Sequence, residues 1–113
     1  MEQVLCYTHS NGDIGYIFDS KDSPYSFDDW RDYLLIADVI KELFQPEQIA
    51  YSGITDIRGH FVIDGIRFEF DYDSCFGIFI INKHENLTEA QKATAFQIMN
   101  KIWKECVKRK LNN

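Results

Sequence analysis

Residues 48 to 82 are written with a period of two, and that stretch narrows the fold more than any other part of the chain. Ile66, Phe68, Phe70 and Tyr72 alternate with Arg67, Glu69, Asp71 and Asp73. Because successive side chains of a strand point to opposite faces, the segment predicts a strand with one buried face and one wet, acidic face. Residues 49–56, 60–64 and 76–82 read as its antiparallel neighbours, with turns expected at Arg58-Gly59, Asp64-Gly65 and Asp73-Ser74. The last of these, Phe76-Gly77-Ile78-Phe79-Ile80-Ile81, is apolar on both faces, which places it at the centre of a sheet or makes it present an apolar patch.

Elsewhere the period changes. Phe27, Trp30, Tyr33, Leu34, Ala37, Ile40 and Phe44 recur at three and four, predicting a helix with Asp28, Arg31, Asp32, Asp38 and Glu42 on its outer stripe. Ser26 is its expected cap, with Asp29 three residues on as the reciprocal member of a capping box, and Pro46 ends it. A second helix is expected from Thr88, with Gln91 as capping partner, to about Lys110. Its core stripe is Ala95, Ile98, Met99, Ile102, Trp103 and Cys106. Ahead of both, residues 3–9 and 14–18 flank Asn11-Gly12 and read as a hairpin that either extends the sheet or stands apart. The expectation is a single α+β domain over residues 1–113, an antiparallel four-strand meander plus hairpin packed with two helices.

Charge is unevenly placed. Residues 1–82 carry fifteen acids against five bases, and residues 83–113 carry three acids against seven bases, for a net charge of −6. A surface field of one sign steers oppositely charged molecules toward it, so a cationic partner is favoured over nucleic acid or an anionic membrane. The chain starts without the basic, apolar pattern of a secretory signal, no run approaches membrane-spanning length, and a cytoplasmic location is expected. Cys6, Cys75 and Cys106 are odd in number and widely spaced, which suits reduced thiols, each read as a small buried hydrophobe.

No catalytic signature accompanies these features. His9, His60 and His84 stand in no spacing that aligns two metal ligands, and surface positions are the commoner fate of such histidines. Cys6 and His9 point to opposite faces of a strand, whereas a thiol and its base must meet. Glu69, Asp71 and Asp73 fall along one strand face at about 7 Å between alternate residues. They could seat a divalent ion, but no calcium-loop order surrounds them; a solvated sheet face is the commoner fate of such a row, and contact with a basic partner is the favoured functional use. Glycine-rich nucleotide loops and the nucleophile-elbow pattern are missing from the sequence. No catalysis, no cofactor and no metal are therefore expected.

In size, acidity and the order hairpin, Ser26-capped helix, meander and closing helix with Ile102-Trp103, the chain resembles the small acidic immunity proteins that bacteria make against neighbours' toxins, including those of contact-dependent inhibition systems. The resemblance implies a cytoplasmic inhibitor that occludes the active site of a toxin domain, often a nuclease, as a monomer in a 1:1 complex. Alternatives are a small metal-binding protein or enzyme built on the strand carboxylates, and a subunit whose apolar strand is covered by a second copy. For a basic partner the favoured surface is Arg67, Glu69, Asp71 and Asp73 beside Phe79 and Ile81, a charged rim next to an apolar strand. The secondary surface is Asp28, Asp32, Leu35 and Asp38 with the neighbouring Asp19 and Asp22.

Overall fold

A computed structural model describes residues 3–18 and 26–112. Six strands, β1 (Leu5–Thr8), β2 (Ile14–Ile17), β3 (Gln48–Ser52), β4 (Arg58–Ile63), β5 (Ile66–Asp73) and β6 (Gly77–Asn82), form one antiparallel sheet in the order β1-β2-β6-β5-β4-β3. Helix α1 (Trp30–Phe44) crosses from β2 to the far edge, and α2 (Glu89–Leu111) follows β6. The fold is α+β, with the expected meander supplying four of the six strands, from β6 out to the edge strand β3. The hairpin joins that meander through β2, which pairs with β6 from Ile14↔Asn82 to Tyr16↔Ile80.

Alternation on β5 comes out as the period of two predicts: Ile66, Phe68, Phe70 and Tyr72 are buried. Asp64 and Gly65 both take positive φ, 53° and 74°, as a two-residue turn between paired Ile63 and Ile66 requires. The turn expected at Arg58-Gly59 is not one, because both residues lie within β4. Gly59 is there for space: a Cβ would stand 2.7 Å from the Ala50 carbonyl oxygen and 2.7 Å from the Tyr33 hydroxyl. Phe76, expected in the last strand, belongs to the turn before β6 and is 80% exposed.

Helix α1 starts later than its sequence suggests. Asp29, not Ser26, is the cap: its carboxylate accepts from the Arg31 and Asp32 amides, while Asp32 reaches back to the Asp28 and Asp29 amides at 3.0 and 3.3 Å. Ser26-x-x-Asp29 and Asp29-x-x-Asp32 share one spacing, and only the second has an acidic side chain at both ends. Consequently Trp30, expected in the core, sits in the first turn and is 52% exposed. Helix α2 matches expectation, with Thr88 and Gln91 forming the capping box and all six stripe residues buried.

Tyr33 and Phe70 stack at 3.9 Å between ring centroids, Phe61 and Phe68 at 4.7 Å, and these rings pin α1 to the middle of the sheet. The Tyr33 hydroxyl donates to the Phe70 carbonyl at 2.8 Å, and the Gly59 amide donates to Asp71 Oδ1 at 3.1 Å. Side chains thus serve the backbone where the β4–β5 ladder is interrupted between His60↔Glu69 and the bridge Ile57↔Tyr72. From α2, the Trp103 indole Nε1–H donates to the Phe18 carbonyl at 3.4 Å. Only Cys106 of the three cysteines is buried; Cys6 on edge strand β1 and Cys75 in the β5–β6 turn are exposed, contrary to expectation, because neither has a layer packed over it.

The basic tail folds back onto the acidic front. Arg109 pairs with Glu42 and with Glu105, and Lys110 Nζ stands 2.7 Å from Asp32 Oδ1 and 4.7 Å from the Phe27 ring centroid. Part of the charge segregation along the sequence is therefore used within the molecule, as glue between α1 and α2.

Candidate functional site

Both helices pack against one face of the sheet, whose inward residues Phe61, Ile63, Ile66, Phe68, Phe70 and Ile80 share a core with Tyr33, Ile36, Ile40, Met99 and Ile102. None of the described residues packs over the opposite face. Among the described strand residues that point that way, Gly15 alone is buried, and it lies under the Tyr7 ring. Tyr7, Gly15, Ile81, Glu69, His60 and Ala50 are successive cross-strand partners from one edge of the sheet to the other. A parallel row contains the pairs Leu5↔Ile17, Phe79↔Asp71 and Ser52↔Arg58.

This bare face has two halves. On β1, β2 and β6 it is apolar, with Leu5 50%, Ile17 38% and Phe79 37% exposed beside half-buried Tyr7 and Ile81. On β5 and β4 it carries Arg58, His60, Arg67, Glu69 and Asp71, which line a shallow concavity of about 430 Å³ with Ala50 and Ser52. Arg67, Glu69, Asp71, Asp73, Phe79 and Ile81, singled out in the sequence, all lie on this one face. Leu5, Ile17 and Arg58 were missed, because only the pairing of β2 with β6 brings the hairpin's outer residues to the same face as Phe79.

The charged half is less acidic than the sequence of β5 suggests. Arg67 Nε bonds Glu69 Oε2 at 2.7 Å, and Arg58 lines the same concavity as Asp71. The three strand carboxylates do not converge: Glu69 turns to Arg67, Asp71 to the Gly59 amide, and Asp73 Oδ1 to the Cys75 and Phe76 amides at 2.8 and 3.0 Å. Carboxylates that do converge, within 4.8 Å of one another, belong to Asp28, Asp29 and Asp32. Two of these are committed to capping α1, and Asp32 also to Lys110.

The secondary surface is correspondingly reduced. Asp32 is buried at 8% exposure, since capping and the Lys110 pair draw it inward, so it is not open to a partner. Asp28 and Asp38 are exposed and Leu35 is half-buried, while Asp19 and Asp22 lie outside the described residues. Among the histidines, His84 Nδ1 lies 2.8 Å from Asp13 Oδ1 and its Nε2 lies 3.6 Å from Glu85. Both ring nitrogens face carboxylates, an arrangement that ties the strand end to the β1–β2 turn and offers no nucleophile a base. The His84 backbone amide and then its ring hold the Asp13 carboxyl below the ordinary carboxylate range. The Asp32 amide does the same for Asp29, and the Ser74 amide for Asp56. Burial pushes the Cys106 thiol up to about 12, the opposite of an activated nucleophile.

No described helix is long and apolar enough to cross a membrane. Comparison with protein-family models, with curated proteins and with solved structures returned no match.

Proposed function

We propose that this chain is a protein-binding module that acts as an immunity protein, neutralising a cationic toxin domain of nuclease type in the cytoplasm by covering its active site. The observation that carries this reading is the open sheet face, where Leu5 and Ile17 on the hairpin and Phe79 across the opening at the end of the β2–β6 ladder are exposed near charged strand residues. Exposed apolar surface rimmed by charge is the pattern of a recognition site, with aromatic and aliphatic side chains supplying affinity at the centre. A net charge of −6 complements an enzyme that must present cations to phosphates, and it would speed the encounter. The described histidines and cysteines are committed to structure or isolated from one another, which fits a binding role better than a chemical one.

Growth of cells expressing a cationic nuclease-toxin domain, with and without co-expression of this chain, tests the proposal. Rescue of growth together with a 1:1 complex of the two proteins is the expected result. Growth arrest despite a folded, expressed chain would overturn it.

A further inference from the structure

At one end of the sheet the β2–β6 ladder stops at Tyr16↔Ile80, although β6 continues back to Gly77. Trp103 holds the Phe18 carbonyl from the helix side, at the point where β2 leaves its neighbour. The two strands part around a groove of about 380 Å³, within the range of sites that enclose a ligand group. Tyr7, Phe18, Phe27, Phe76 and Phe79 line it, and Asp28 is the one carboxylate among the described lining residues. Above Gly77 a Cβ would meet nothing within 4 Å, so the groove is open there.

We propose that this groove is an arginine-side-chain pocket, the point at which a basic partner inserts one guanidinium. The assignment rests on the proposed basic partner and adds what that partner must present. Aromatic faces carry negative electrostatic potential and attract cations, and a flat guanidinium both stacks on rings and bonds a carboxylate. Phe27 is 2% exposed, with Lys110 Nζ 4.7 Å from its ring centroid, so an incoming guanidinium meets the exposed rings of Phe76 and Phe79. That lysine is held by Asp32, leaving exposed Asp28 without an ion pair among the described residues. Exposed Asp28 offers an arginine a carboxylate to bond while the rings take its flat face, a combination that a purely apolar guest would leave unused.

The probe is N-acetyl-arginine amide, titrated into the isotope-labelled full chain by NMR. N-acetyl-citrulline amide, similar in shape but uncharged, and N-acetyl-leucine amide serve as comparisons. Backbone signals of Ile17, Gly77, Ile78 and Phe79 should shift and saturate with the arginine probe. The citrulline probe should bind about fivefold more weakly, the equivalent of roughly 1 kcal/mol for a cation over partly exposed rings. Asp28→Asn, at an exposed side chain, should weaken the arginine probe while leaving the melting temperature unchanged. Equal binding of citrulline or leucine, shifts lying only at other acidic positions, or no effect of Asp28→Asn would each overturn the assignment. The titration contains no toxin, so its failure removes the groove's guest and leaves growth rescue to judge the immunity role.

Discussion

Asp32 is the residue whose environment departs furthest from its sequence pattern, and Asp32→Ala measures what that environment is worth. The substitution deletes the acceptor of the Asp28 and Asp29 amides, at 3.0 and 3.3 Å, half of a capping box whose loss costs about 1 kcal/mol. It also deletes the 2.7 Å pair with Lys110, whose side chains are 11% and 26% exposed. Exposed pairs contribute a few tenths of a kcal/mol and fully buried ones several, so about 1–1.5 kcal/mol is assigned here. The total is about 2–2.5 kcal/mol, read by urea denaturation as a lower midpoint at unchanged m-value. Asp32→Asn keeps an amide acceptor and should cost about half as much. A double-mutant cycle with Lys110→Met should return a coupling of about 1 kcal/mol, whereas Asp38→Ala, at an exposed site, should change stability by under about 0.5 kcal/mol. A loss at Asp32→Ala no larger than at Asp38→Ala, or zero coupling, would refute the view that α2 is latched to the start of α1.

Thiol labelling of the native protein should modify exposed Cys6 and Cys75 within minutes and Cys106 only after unfolding, as a thiol count with and without guanidinium will show. Tyr33→Phe removes the 2.8 Å bond to the Phe70 carbonyl while keeping the stacked ring, and should cost about 1–2 kcal/mol in urea melts. The carboxyls of Asp13, Asp29 and Asp56 are held low in the folded state, so their contribution is complete above the unfolded carboxylate value of about 3.9 and is lost as pH falls through the lower folded values. Stability measured against pH should therefore decline on acidification below that point, and Asp29→Asn should flatten the decline.

What was legible in the sequence is what short-range periodicity controls. The alternation on β5 and the stripe of α2 depend on nearby residues, and both hold residue by residue. Pairing of β2 with β6 joins segments far apart in the chain, and no local pattern specifies it. That pairing is what brings Leu5 and Ile17 to the same face as Phe79, so half of the candidate site is invisible in the sequence although Phe79 and Ile81 are legible there. Asp32 reads as an outer-stripe acid because its periodicity is correct; its burial is decided by Lys110 arriving from the other end of the chain. The same distant contact explains why charge counted along the sequence overstates the field at the surface.

The central claim is that the bare sheet face binds the partner through its apolar half. Calorimetry of the toxin-domain complex with Phe79→Ala tests it most directly, with Leu43→Ala, an exposed leucine on α1, as the comparison. If the face is the interface, Phe79→Ala weakens binding by about 2 kcal/mol, a hot-spot magnitude, and Leu43→Ala leaves it unchanged. Undiminished affinity at Phe79→Ala, or a larger loss at Leu43→Ala in a folded protein, would contradict it.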